Sequence, residues 1–221
     1  MLAKLHDPAL VLLSLLAVFA LVFAARTLGR AGRLSTATLR KLLHAAIGLW
    51  TLIVTPMFHH VGWAVVPPVL FGVVNATGMA RTLLPSMGDS PQDAQGLWTF
   101  PLGVFLTYLL FWDDHGRRAI LAGLAALAFA DPIAAVVGAK FGQRRFDGFG
   151  HGRSLEGSAA FFTIAALGIG IIATGQTGGA FAWRMGIGCG FAGAVAESLT
   201  PSGWDNVSIP LVVAAAYRFL A

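Results

Sequence analysis

The sequence predicts an all-α fold, a polytopic helical bundle embedded in a membrane, on the strength of its composition and its apolar runs. Of the 221 residues, 57% are hydrophobic and only 11% are charged, and the mean hydropathy is +0.75. Soluble globular domains carry about 25% charged residues, so this chain could not cover its apolar surface in water. Its apolar residues fall into eight runs suited to spanning helices. We expect one membrane domain over residues 1–221.

The first run, residues 8–25, is followed by positive charge at Arg26 and Arg30, which favours a retained anchor over a cleaved signal peptide. The second run is short, and the third contains Pro67, Pro68 and Asn75, so seven spans is the alternative count. The remaining predicted runs are residues 44–58, 62–84, 97–112, 119–141, 157–174, 180–198 and 207–220.

Basic residues predict the orientation. One set of alternate loops holds ten of the fifteen, so the positive-inside rule places these loops in the cytoplasm and both termini outside. We attribute the high pI, about 10.1, to these cytoplasmic loops and to basic residues that bind phosphate groups, and we expect no nucleic acid partner. The ten residues are Arg26, Arg30, Arg33, Arg40, Lys41, Arg81, Lys140, Arg144, Arg145 and Arg153.

Asp131 lies inside the fifth apolar run, where an ionisable residue costs about 2.5–3.5 kcal/mol on insertion scales. Pro132 follows it and disfavours helical geometry at residue 131. In one arrangement the helix breaks, with Asp131 as N-cap and Pro132 as first helical residue. In the other the helix is straight and Asp131 lies in a deep cavity, about 16 Å from Gly142 at 1.5 Å per residue. A structural Asp paired with an Arg is the remaining alternative.

The segment from 140 to 158 is basic and rich in glycine. Glycines let backbone N–H groups approach an anion, and arginine matches phosphate oxygens bidentately. Ser154 begins a capping pattern for the sixth helix, whose free amides could point at a phosphate. The segment predicts phosphate binding; a loop that only sets topology or contacts anionic lipid is the alternative. Its basic residues and glycines are Lys140, Arg144, Arg145, Arg153, Gly142, Gly148, Gly150, Gly152 and Gly157.

Small residues also recur every four positions at Ala134, Gly138 and Gly142, which places them on one helix face. Such a face permits close helix packing or leaves backbone open to a ligand, and the sequence leaves both open.

Two further polar groups are predicted on the same side. Arg40, Lys41 and His44 are spaced three and four apart, so on a helix all three face one spot; a snorkelling basic anchor is the alternative. Glu197 closes the seventh run, and Asp205 with Asn206 opens the eighth. Carboxylates are ligands that Mg²⁺ prefers beside phosphates, although Asp205 could simply cap its helix.

These residues together resemble the CTP-dependent lipid-alcohol kinases, which include dolichol kinase, phytol kinase and the CTP-dependent diacylglycerol kinase. The chain is similar in length to the compact phytol kinase branch. One departure is Arg153, where the family usually has lysine. The matching motifs are Arg40-Lys41-x-x-His44, Asp131-x-x-Ala134-x-x-x-Gly138-x-x-x-Gly142, Arg153-Ser154-Leu155-Glu156-Gly157, and Glu197 followed by Asp205-Asn206 and Pro210.

The resemblance implies phosphoryl transfer from a nucleoside triphosphate, CTP with ATP left open, to the hydroxyl of a lipid alcohol. It implies catalytic roles for Asp131, Asp205 and Arg153, with the roles of the two carboxylates exchangeable. It implies Mg²⁺ held by Asp131, Glu197 and Asp205. The nucleotide-binding residues it implies are Lys140, Gly142, Arg144, Arg153, Ser154, Glu156, Gly157, Arg40, Lys41, His44 and Asn206.

The expected location is a prokaryotic cytoplasmic membrane, with the active site facing the cytoplasm and membrane lipids as neighbours. A homodimer is left open. Two other functions are weighed against the kinase. One is CDP-lipid synthesis of the phosphatidate cytidylyltransferase kind, which uses CTP at the same surface. The other is anion transport, because intramembrane charges and half-helix ends also suit transporters.

Overall fold

The computed structural model describes residues 5–32, 34–77, 91–113, 116–148, 151–176, 180, 182–201 and 203–221. Across these residues the fold is all-α, as predicted, with one added hairpin of two antiparallel strands, β1 (Arg145–Gly148) and β2 (His151–Ser154). The helices are α1 (Asp7–Arg30), α2 (Thr36–Val54), α3 (Val61–Ala64), α4 (Val66–Ala76), α5 (Pro91–Phe111), α6 (Arg117–Ala125), α7 (Asp131–Phe141), α8 (Leu155–Ala173), α9 (Trp183–Leu199) and α10 (Asp205–Leu220).

The helical segments coincide with the predicted apolar runs, if α3 with α4 and α6 with α7 are each taken as one segment. Among the described residues, three helical segments are long and apolar enough to cross a membrane: Asp7–Arg30, Arg117–Phe141 and Leu155–Ala173. The number of spans beyond these three stays a prediction. The end of the third predicted run, together with Arg33, Arg81 and Gly150, lies outside the described residues.

Helix α2 begins eight residues before the predicted run. Ser35 is its N-cap, and the Ser35 Oγ accepts a hydrogen bond from the Thr38 N–H at 3.2 Å. The cap satisfies an amide that would otherwise have no partner, so the helix starts among polar residues. Hydropathy alone misses such a start. Arg40, Lys41 and His44 therefore all lie on α2.

The helix does not break at Pro132, so the predicted N-cap at Asp131 is wrong. Asp131 has helical angles, φ −62° and ψ −52°, and its N–H bonds to the Ala126 carbonyl five residues back. Residues Ala126–Ala130 form a π-helical turn that joins α6 to α7. The wider turn accommodates the proline, which has no N–H to contribute. The unbroken alternative is the one observed.

Two apolar clusters hold the helices together. One joins α6, α8, α9 and α10 around the buried side chains of Phe161, Ile169 and Tyr217. The other joins α1, α5 and α6 to the end of α2, around Phe58 and Tyr108. The space between the second cluster and the start of α7 contains the site described next.

Candidate functional site

A cavity of about 430 Å³ lies between α1, α2, α4 and α5 and reaches the beginnings of α7 and α10. Its wall is polar near the start of α2 and apolar near the end of α2, at Val54 and Phe58. His44 and Val54 are ten residues apart, about 15 Å at 1.5 Å per residue. The cavity thus has a polar end and an apolar end. Seven residues predicted for the site line it: Arg40, Lys41, His44, Asp131, Arg153, Asp205 and Asn206.

Asp131 presents its carboxylate at the polar end. It is half-buried, and no described residue hydrogen-bonds to or forms an ion pair with that carboxylate. Asp205 and Glu197 repel it electrostatically, whereas Arg153 and Lys41 attract it. A carboxylate beside a cavity without a protein partner is open to a ligand, a metal ion or a proton. The alternative of a structural Asp in an ion pair with Arg is not found in the described residues.

Arg153 forms the centre of an ion-pair network. Its Nη1 donates to Glu197 Oε1, and its Nη2 donates to Asp205 Oδ2 at 3.1 Å and to the Thr200 carbonyl at 3.4 Å. Burial disfavours the charged guanidinium, but Glu197 and Asp205 favour it by more, so the pKa of Arg153 is raised. The hairpin thus meets the carboxylates of α9 and α10, as predicted.

Glu197 and Asp205 are both buried and have further partners. Glu197 Oε2 accepts from Ser158 Oγ at 3.2 Å, and Asp205 Oδ1 accepts from the Gly203 and Asn206 amides at 3.0 Å. In the described part of the chain, no three His, Cys, Asp or Glu side chains are grouped to hold a metal ion. Glu197 and Asp205 are instead engaged with Arg153, and Mg²⁺ binding stays a prediction.

Asn206 joins α10 to α5 at the cavity wall. Its Nδ2 donates to Thr99 Oγ1 at 3.1 Å and approaches the Gly96 carbonyl at 3.5 Å. Thr99 is fully buried. Thr99 was not predicted from the sequence, because threonine is common in apolar helices. Only its hydrogen bond to Asn206 shows that it supports the cavity wall.

His44 lies at the polar end, on the same face of α2 as Arg40 and Lys41, as the spacing predicted. Its Nε2 is 2.9 Å from the Leu127 carbonyl in the π turn. Its ring meets Phe100 edge-on, with centroids 4.7 Å apart. The phosphate-binding role predicted for His44 is untested, but one of its nitrogens is engaged with the backbone.

Two of the cations predicted to hold phosphate, Lys140 near the end of α7 and Arg144 just before β1, do not line the cavity. Lys140 and Arg144 are exposed, and the Glu156 carboxylate accepts from the Gln143 and Arg144 amides at 3.2 and 3.3 Å. The predicted cap at Ser154 is confirmed, since Ser154 Oγ accepts from the Gly157 N–H at 3.1 Å. These amides are occupied within the protein. The nucleotide-binding roles of Lys140, Gly142, Arg144, Ser154, Glu156 and Gly157 stay predictions, away from the cavity wall.

The stripe of small residues packs α7 against α8. A Cβ on Gly157 would lie 3.1 Å from the Ala134 carbonyl and 3.3 Å from the Gly138 Cα. A Cβ on Gly142 would lie 2.8 Å from Ser154 Oγ. Of the two alternatives, close helix packing is the one observed.

The apolar wall was not predicted. Trp50, Phe71 and Val104 face the cavity from α2, α4 and α5. When nearly every face of a helix is apolar, hydropathy does not distinguish a cavity wall from a packed or lipid-facing surface. No protein-family model matches this chain, and no curated protein or solved structure matches it significantly.

Proposed function

We propose that this protein is an integral membrane kinase that transfers the γ-phosphate of a nucleoside triphosphate, CTP in the first instance, to the hydroxyl of a lipid alcohol. The observation that carries the proposal is the placement of Asp131. Its carboxylate has no partner among the described residues and lies where a cationic end and an apolar wall share one cavity. A lipid alcohol has the same division into a polar head and an apolar tail.

The dimensions of the cavity are consistent with the proposal that the substrate is a lipid alcohol with a single hydrocarbon tail. From His44 at the polar end to Val54 at the apolar end, the cavity extends along α2 for about 15 Å, which is about half of the 30 Å hydrocarbon core and therefore the depth of one leaflet. Its apolar end is lined by the buried side chains of Phe58, Ala64 and Tyr108. Its volume of about 430 Å³ falls within the usual range for small-molecule sites.

The polar end supports phosphoryl transfer, in which positioning and neutralisation of charge contribute most of the catalysis. The alcohol oxygen attacks the γ-phosphorus, the bond to the bridging oxygen of the β-phosphate breaks, and a nucleoside diphosphate leaves. In this proposal Asp131 receives the hydroxyl proton, while Arg40 and Lys41, which line the same end, face the phosphates.

Mg²⁺ is proposed as the ion that neutralises phosphate charge when bound, and it is commonly held by one or two carboxylates together with the phosphates of a substrate. Asp131, which faces the cavity without a partner among the described residues, would hold the ion in the alternative in which it does not receive the hydroxyl proton. The exchange of roles between Asp131 and Asp205 is disfavoured in this arrangement, because Asp205 is engaged with Arg153. The proposed orientation, with the polar end facing the cytoplasm, rests on the loop charges, and the prokaryotic cytoplasmic membrane stays a prediction.

The proposal is tested by product analysis. Purified protein in detergent is given Mg²⁺, CTP or ATP labelled at either the α- or γ-phosphate, and farnesol, phytol, a polyprenol, diacylglycerol or phosphatidate. We expect the γ-label in the lipid and a labelled nucleoside diphosphate from the α-label. Transfer of the α-label to lipid would instead identify CDP-lipid synthesis. No lipid product, together with anion flux in proteoliposomes without nucleotide, would identify a transporter.

A further inference from the structure

The π turn before Asp131 leaves one backbone carbonyl without its helical partner. The Asp131 N–H bonds to the Ala126 carbonyl, five residues back. In the same register the Leu127 carbonyl would be bonded by residue 132, which is proline and has no N–H. The Asp131 N–H is thus used by Ala126 and Pro132 has none to offer the Leu127 carbonyl, and a buried carbonyl without a donor is costly.

His44 supplies the missing donor. Its Nε2 lies 2.9 Å from the Leu127 carbonyl, and because a carbonyl oxygen only accepts, Nε2 carries the proton. The approach depends on Gly48, one turn further along α2, where a Cβ would lie only 2.4 Å from the Ala128 Cβ. Helix α2 therefore lies directly against the π turn, and Phe100 contacts the edge of the imidazole ring.

A second proline beside the cavity has a similar partner. Pro101 lacks the N–H that would bond the Leu97 carbonyl four residues earlier in α5. The Asn75 Nδ2 donates to that carbonyl at 2.6 Å. In both cases a polar side chain from a neighbouring helix replaces a donor that proline removes. The location of His44 is thereby explained without a bound phosphate.

The π turn determines which way Asp131 points. Each residue of an α-helix turns the chain by about 100°, so the extra residue of a π turn rotates all that follows it relative to an uninterrupted helix. We propose that His44 is a positioning residue, whose hydrogen bond to the Leu127 carbonyl keeps the π turn in register and the Asp131 carboxylate at the cavity. This role rests on the proposed function, in which Asp131 receives the hydroxyl proton.

Steady-state kinetics of His44 variants test the role. We expect His44→Ala to lower kcat on the order of 10²-fold, because a small displacement of a reacting group has that effect, with the KM for nucleotide changed less than about threefold. His44→Gln, whose amide nitrogen reaches the Nε2 position, should restore most of kcat. His44→Asn, whose nitrogen reaches only the Nδ1 position, should not. A large rise in nucleotide KM in both Ala and Gln variants, or unchanged kcat in the Ala variant, would overturn the proposal.

The state of the imidazole gives a second test that needs no activity. Nitrogen-15 spectra of the wild-type protein, with His44 assigned through His44→Gln, should show the neutral ring protonated at Nε2. Protonation at Nδ1 alone would overturn the hydrogen bond and the role. If the wild type phosphorylates no alcohol while Nε2 carries the proton, the proposed function fails and the contact with Leu127 stands.

Discussion

Two groups of carboxylates lie a short distance apart in this protein and differ in their partners. Glu197 and Asp205 are buried and bonded to Arg153, to Ser158 and to backbone amides. Asp131 faces the cavity with no such bond from the described residues. The family resemblance assigns all three alike, as carboxylates that hold Mg²⁺. The difference indicates that the Arg153 network holds β2, α9 and α10 together, whereas Asp131 remains open for chemistry.

The largest effect on activity is expected from Asp131→Asn. The amide keeps the size of the side chain but cannot accept the hydroxyl proton as a carboxylate does, so kcat should fall by about 10²–10⁴-fold. The unfolding temperature in detergent should stay the same or rise, because repulsion from Asp205 and Glu197 is removed. Asp113→Asn, at an exposed carboxylate paired with Arg218, is the matched control and should keep wild-type kcat. If Asp131→Asn and Asp113→Asn had equal kcat values, Asp131 would have no catalytic role.

The largest effect on stability is expected from Arg153→Met. The variant keeps an unbranched apolar stem but leaves Glu197 and Asp205 buried without their cation, which should lower the free energy of unfolding by about 3–5 kcal/mol. Thermal unfolding in detergent measures this. Arg145→Met, at an exposed position on β1, should change it little. An unfolding temperature for Arg153→Met equal to that of Arg145→Met would contradict the structural role of the network.

A smaller effect on stability is expected at the packing of α7 against α8. Gly157→Ala places a Cβ about 3.1–3.3 Å from three neighbouring atoms and should cost about 1–3 kcal/mol. Gly168→Ala on the same helix meets no atom within 4 Å and should stabilise by about 0.5–1 kcal/mol. Thermal unfolding of the two variants under identical conditions should therefore move in opposite directions. If Gly168→Ala were destabilised and Gly157→Ala were unaffected, the close packing of α7 against α8 would be contradicted.

The smallest effect comes from comparing Lys41, which lines the cavity, with Lys140, an exposed lysine near the end of α7. Lys41→Ala should raise the KM for nucleotide about tenfold, the equivalent of one charge-assisted hydrogen bond, because Lys41 lines the cavity. Lys140→Ala should change it less than twofold, because Lys140 is exposed and outside the cavity wall. A larger rise in the KM for nucleotide in Lys140→Ala than in Lys41→Ala would contradict this assignment. It would instead support the sequence-based prediction that the glycine-rich segment binds the phosphates.

The sequence predicted the helical fold and the residues of the polar end well, for a physical reason. A charge inside an apolar run needs a partner or a cavity, so the free-energy cost of placing Asp131 in a membrane was enough to identify it. The spacing of Arg40, Lys41 and His44 placed these three residues on one helix face. The cap at Ser154 follows from equally local chemistry.

The sequence could not predict the features that depend on contact between distant helices. In the π turn, the Leu127 carbonyl is hydrogen-bonded by His44 of α2, a partner 83 positions away in the chain. The glycines of α7 and α8 suit an anion or a neighbouring helix equally well until their partners are known. The cavity wall, including Trp50 and Phe71, has no signal in a chain whose outer faces are also apolar.

The central claim is that a lipid alcohol enters the cavity with its hydroxyl at Asp131 and its tail along α2. The most direct measurement is photo-crosslinking with an alcohol that carries a diazirine on its tail, followed by peptide mapping. We predict labels on cavity residues such as Ile47, Phe71 and Val104, removed by excess unlabelled alcohol. Labels confined to outward-facing residues such as Leu167 and Phe191, and unaffected by competitor, would contradict the account.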